Sequence, residues 1–157
     1  DAFKHSWKSN SGAIAARLTW KLGYPDRAVR VFEDALVHAR QRGNPFQLGW
    51  VLTFGADVFA CRGEAHILRQ HAEECDRLGQ ENSLPFLRTM QARARIGEAL
   101  ILEGKAAEGM RLLKAGAAVW EAIGGKLDVP SAKSGMAAVI AQSGDMDGAL
   151  QLIDEAS

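Results

Sequence analysis

The chain has 157 residues, 47% of them hydrophobic, with 19 basic against 19 acidic side chains. That length suits one compact domain or a short repeat array, and the balanced charge removes the electrostatic argument for nucleic acid or an anionic membrane. No apolar run approaches the ~18 residues of a membrane span, "DAFKHSWK" is not a signal peptide, and Cys61 and Cys75 are too few for a disulfide scaffold, so a reducing cytoplasm is the expected compartment.

In chain order, the first two helices are expected near 6–22 and 25–42, on either side of "KLGYPDRA". Gly23 tolerates the left-handed conformation that stops one helix, and Pro25 suits the first turn of the next. Asn44, in "RGNPFQLGW", is a candidate N-cap for a helix over 45–62, followed by one over 64–80 across "CRGEAHI". "ENSLPFLR", with Ser83 as cap, introduces helices over 84–103 and 106–123 around "LEGKAAEG". "GGKLDVPS", with Asp128 as cap, introduces 130–143 and 146–156 around "QSGDMDGA". No stretch alternates as a strand would. The chain lacks an initiator Met and ends inside a helical pattern, so it is expected to be a fragment of a longer polypeptide.

The four turns form a repeat. Gly23, Gly63, Gly104 and Gly144 are spaced by 40, 41 and 40 residues, the signature of a solenoid. Seven residues before each stand Ala16, Ala56, Gly97 and Ala137; five after stand Ala28, Leu68, Gly109 and Ala149. Nine after come Phe32, Ala72, Leu113 and Ile153, and twelve after come Ala35, Cys75, Gly116 and Ala156. Small residues at a crossing let two helices approach to ~8–10 Å while larger ones fill the groove beside them. The expectation is one all-α array over 1–157, built from hairpins at 6–42, 45–80, 84–123 and 130–157.

This register resembles the tetratricopeptide motif, with helices longer than the usual period of about 34 residues requires. The resemblance implies a right-handed α-solenoid of four such hairpins. The run "LPFLRTMQARARIGEALILEGKAAEGMRLLKAGAAVWEAIGG", followed by "VPSAKSGMAAVIAQSGDMDGALQLIDEA", is similar to the C-terminal repeat region of bacterial multidomain signalling ATPases that carry a class III nucleotide cyclase or a DNA-binding domain. That similarity implies a non-catalytic regulatory module for protein interaction or ligand sensing, with no catalytic residue and no cofactor of its own.

Motifs for chemistry are weak. "GEALILEGKAA" lacks the spacing of a phosphate-binding loop, and "DMDG" (145–148) reads as a turn with Asp at a helix start rather than a calcium loop. Cys61, His66, His71 and Cys75 are the one metal-like cluster and carry the rival reading of a metal-binding domain. Against it, Cys75 occupies a small-residue packing slot, and His66 lies off the helical face of His71. Arg88, Arg93 and Arg95 read as a solvated basic face.

In a tetratricopeptide-like solenoid the first helices line the concave surface. Counting from the turns places Arg17, Trp20, Lys21, Trp50, Asp57, Gln91 and Glu98 there, a candidate site for a protein or peptide partner or a small polar ligand. The alternative is that Trp20 and Trp50 only fill the seam between neighbouring helices. Residues 1–42 hold eight basic and four acidic groups, while 140–157 hold none and four. Basic start and acidic end, each with uncapped apolar residues, lead to an expected weak, salt-sensitive self-association, and to a further reading of the array as an oligomerisation device.

Overall fold

Left-handed glycines set the rhythm of the chain. Gly23, Gly63, Gly104 and Gly144 have φ of 86°, 72°, 83° and 92°, a region in which a Cβ would clash with the backbone. Each therefore ends one helix and lets the next fold straight back. The computed structural model describes residues 2–122, 129–142 and 144–155, and every regular element among them is helical. They are α1 (Ala2–Lys21), α2 (Pro25–Arg42), α3 (Pro45–Trp50), α4 (Asp57–Cys61), α5 (Ala65–Glu81), α6 (Arg93–Leu102), α7 (Ala106–Ala122), α8 (Val129–Gln142) and α9 (Met146–Asp154).

Two of the expected helices are not uniform. A π-helical segment, Val51–Gly55, joins α3 to α4, and another, Leu87–Ala92, leads into α6. Each contains a threonine whose hydroxyl lies against the carbonyl four residues back: Thr89 donates to Pro85 at 2.8 Å, and Thr53 lies 2.9 Å from Gly49 and 2.8 Å from Gln91 Oε1, two acceptors that share its one proton. A side-chain donor at that carbonyl supports the widened turn, in which the backbone N–H reaches one residue further. Hydrophobic periodicity carries no trace of this choice.

Local ends follow the expected chemistry with one exception. Asn44 caps α3 by accepting from Gln47 N at 3.0 Å, and Asp145 caps α9 by accepting from Gly148 N at 2.9 Å. Ser83 does not cap the next helix. It takes the left-handed conformation itself (φ 54°) and helps to end α5, with Leu84 N donating back to the Gly79 carbonyl at 2.8 Å. Asp128 and Ala156 lie outside the described residues.

The repeat register is the packing register. Ala16, Ala56, Ala28, Leu68, Ala72 and Leu113 are fully buried, and Ala137 and Ala149 nearly so. Gly97 and Gly109 mark where α6 and α7 cross: a Cβ on Gly97 would meet the Gly109 carbonyl oxygen at 2.8 Å, so neither position has room for a side chain. The strongest pairings are α1 with α2, α6 with α7, and α8 with α9. Each first helix also packs against the pair before it: α3 and α4 against α1 and α2, α6 against α5, and α8 against α7 and α6. Units that follow one another in sequence thus follow one another in space. A continuous apolar core runs from Ala13 to Ala99, and a smaller one around Leu113, Ala117 and Met136 joins the third pair to the fourth.

Candidate binding face

Six residues before successive turn glycines stand Arg17, Asp57 and Glu98, on three consecutive first helices. The fold brings all three together. Arg17 Nε lies 2.8 Å from Asp57, and Arg95 Nη1 bridges Asp57 at 2.8 Å and Glu98 at 2.6 Å. Two cations and two carboxylates thus form a chain of charge across the array. Arg95 is only 8% exposed, which corrects its expected place on a solvated face beside Arg88 and Arg93. Arg93 is exposed as expected, and Arg88 pairs with Asp76 at 3.2 Å. Burial pushes the Glu98 carboxyl above its usual range, against the pull of Arg95, and the nearby Asp57 charge adds to the rise.

Trp20 and Lys21 edge this network. With Arg17, Asp57, Val58 and Cys61 they line a hollow of about 20 Å³, room for one water and no more. A larger hollow of about 280 Å³ lies between α1 and α2, lined by Gly12, Val31, Asp34, Ala35 and His38.

Trp50 and Gln91 sit elsewhere, seven residues nearer the helix starts. Trp50 stacks on Phe54 with ring centroids 4.1 Å apart and lies 6.4 Å from Phe46, which in turn lies 5.8 Å from Phe86. An aromatic row therefore crosses from the second pair to the third, with Phe46 42% exposed. Gln91 is 5% exposed, and its Oε1 lies 2.8 Å from the Thr53 hydroxyl. The two π-helical segments meet at that contact.

Their shared register exposes a feature that residue types alone do not reveal. Asn10, Trp50 and Gln91 each stand thirteen residues before a turn glycine. Each carries a buried polar atom with no hydrogen-bond partner among the described residues: Asn10 Oδ1, Trp50 Nε1 and Gln91 Nε2. Leaving such a group unpaired costs roughly 1–3 kcal/mol, so three in one register are a concentrated deficit. Asn10 was reachable from the sequence by extending the count to the first helix. Its unmet oxygen was not.

The metal-like residues do not converge. Cys75 is fully buried, with Sγ 3.6 Å from the Gly49 carbonyl, and burial pushes its thiol up to about 12. His71 packs edge-on to Phe32 at 5.0 Å and beside Phe59 at 5.6 Å, where burial lowers its pKa. Cys61 and His66 are exposed, and burial followed by the charges of Asp57 and Glu98 holds the Cys61 thiol above its ordinary value. Among the described residues no group of three or more His, Cys, Asp or Glu side chains is placed to hold a metal ion.

Compared with known proteins, the chain matches no family model and no curated protein sequence. Among the described residues no helix is long and apolar enough to cross a membrane.

Proposed function

We propose that the chain is a non-catalytic binding and positioning module, a right-handed solenoid of four tetratricopeptide-like hairpins within a larger cytoplasmic signalling protein. Its ligand-facing surface is the row of first helices. One observation carries this reading: the unmet polar atoms of Asn10, Trp50 and Gln91, repeated in register, with the aromatic row of Phe46 and Phe86 beside Trp50. These atoms are covered in the structure, so an occupant reaches them as the side chains turn outward: a carbonyl or carboxylate oxygen then satisfies the two N–H donors, and an N–H the Asn10 oxygen. Peptide groups offer both kinds, and an apolar side chain would rest on the aromatic row. The occupant is therefore read as a neutral polypeptide segment or a small amide-bearing ligand. Arg17, Asp57 and Glu98 take a structural part in this reading, because their charges already answer one another.

The test is a titration with short N-acetylated, C-amidated peptides, followed through the indole N–H resonances of the tryptophans. The expected result is a shift at Trp50 that is absent at Trp20 and lost in Gln91→Leu. Peptides that move the Trp50 signal equally in the variant, or not at all, would remove the site.

A further inference from the structure

Between the second and third pairs the binding face is neutral and one-sided in its hydrogen bonding. Residues 43–56 hold no charged side chain, and residues 82–92 hold one, Arg88, which pairs with Asp76 at 3.2 Å. Trp50, Phe46 and Phe86 form a row along this stretch, with successive ring centroids 6.4 and 5.8 Å apart and planes tilted by 33° and 35°. Phe46 is exposed, and Trp50 and Phe86 are half-buried. Both unmet atoms here, Trp50 Nε1 and Gln91 Nε2, are N–H donors. Gln91 Oε1 already lies 2.8 Å from the Thr53 hydroxyl, and the unmet acceptor of the register, Asn10 Oδ1, belongs to α1, one pair earlier. This part of the face therefore calls for carbonyl oxygens and offers ring surfaces beside them.

We propose that its occupant is a proline-rich segment in the polyproline II conformation, an inference that rests on the Trp50–Gln91 site as the binding face. The carbonyls of such a segment make no bonds to one another, so they can accept from Trp50 and Gln91 as these side chains turn to meet them. Proline has no N–H, so the residues pressed on the rings bring no donor that would lose water without gaining an acceptor. Their apolar rings suit an aromatic-lined surface, and their fixed φ lowers the entropy lost on docking. Three residues of this helix advance ~9 Å, so about one turn runs from Trp50 past Phe46 to Phe86. A charged segment fits less well. Arg17, Asp57, Arg95 and Glu98 already answer one another, and a charge set on the row would be desolvated with no partner.

Two acetylated, amidated peptides of about six residues, or two polyproline II turns, test this: one all proline, the other alternating alanine and serine. Each is titrated into the 157-residue chain while the Trp50 indole N–H resonance is followed, that signal being assigned by its loss in Trp50→Phe. The proline peptide should shift it and bind about tenfold or more tighter than its competitor, the effect of one N–H left without an acceptor. Phe46→Leu keeps apolar bulk at an exposed position and removes the ring. With helicity unchanged by circular dichroism, it should weaken the proline peptide and leave the other as it was; if helicity falls, Phe86→Leu replaces it. Equal or tighter binding of the alanine–serine peptide would overturn the proline assignment and leave the Trp50–Gln91 site standing. Proline binding that is the same with and without the ring would also overturn it. Silence at Trp50 with both peptides would remove the site itself, and this occupant with it.

Discussion

Two rungs cross the same three first helices about two turns apart, and they treat polarity in opposite ways. At one, Arg17, Asp57, Arg95 and Glu98 form a closed set in which each charge has an opposite charge within 2.8 Å. At the other, Asn10, Trp50 and Gln91 bury polar atoms that find no partner among the described residues. Ionised groups of both signs, on long side chains, reach across the ~10 Å between neighbouring helices and neutralise one another. An indole donor and a carboxamide carry no charge to draw a partner across that gap, and among the described residues only Gln91 of the three reaches a neighbouring helix, through Thr53. A polar residue on a shared face is thus not, by its polarity alone, available to a ligand.

The largest expected effect breaks the closed rung. Arg95→Met leaves Glu98 without its cation while Asp57 keeps Arg17, and should destabilise by ~3 kcal/mol, the lower end of the range for breaking a buried pair. A denaturant midpoint close to that of the unmodified protein would mean that the charges are not coupled. Next in size is overpacking at the crossing beside Asp57. Ala56→Leu should cost about 1–3 kcal/mol, because Ala56 is fully buried, whereas Ala107→Leu, at an exposed helix start, should shift the midpoint little. Equal midpoints for the two would contradict the packing register.

The open rung should respond differently despite similar burial. Gln91→Met conserves volume and removes an amide whose N–H₂ has no acceptor, so its thermal midpoint should fall by less than ~1 kcal/mol is worth, or rise. Thr53 keeps its bond to Gly49 in that variant. A loss as large as that of Arg95→Met would show Gln91 to be fully satisfied, and the two rungs to be alike.

The smallest effect concerns pH. The folded-state pKa of Glu98 is raised, so the folded protein holds this proton more tightly than the unfolded chain does. Its contribution is complete below the ordinary carboxylate range and is lost as pH rises through the raised value. Glu98→Gln should therefore match the unmodified protein in acid and gain on it as pH climbs towards neutrality. Paired urea titrations across that window would show a stability difference that widens with pH; a difference that narrows would reverse the assignment.

Much of the fold was legible because its requirements are local. A chain that reverses within three residues needs a left-handed glycine, and helices that cross closely need small residues at fixed offsets from it. Those two demands placed the helix over 25–42 at its observed bounds and the starts of the later second helices within one residue. The helices expected over 45–62 and 84–103 carry π-helical segments, and the ends expected at 123, 143 and 156 lie outside the described residues. The candidate face was legible only as a set of positions. Counting brought out Arg17, Asp57 and Glu98 but missed Arg95, whose neighbours Arg88 and Arg93 gave it the look of a solvated cation. Its partners lie on its own helix at Glu98 and on another at Asp57, and the second cannot be seen from the local sequence. The π-helical segments escaped for a related reason: they depend on where single threonine hydroxyls are directed.

By itself, then, the sequence determined where the glycine turns fall, the spacing of the repeat, and the small residues that pack at the crossings beside them. These follow from backbone sterics and side-chain size within a few residues of each turn. Only the tertiary structure decided which polar groups answer one another and which remain unmet. Hydrogen bonds and ion pairs between helices join residues about forty positions apart, such as Arg17 to Asp57 and Thr53 to Gln91, and their distances are set by the stacking of one pair on the next.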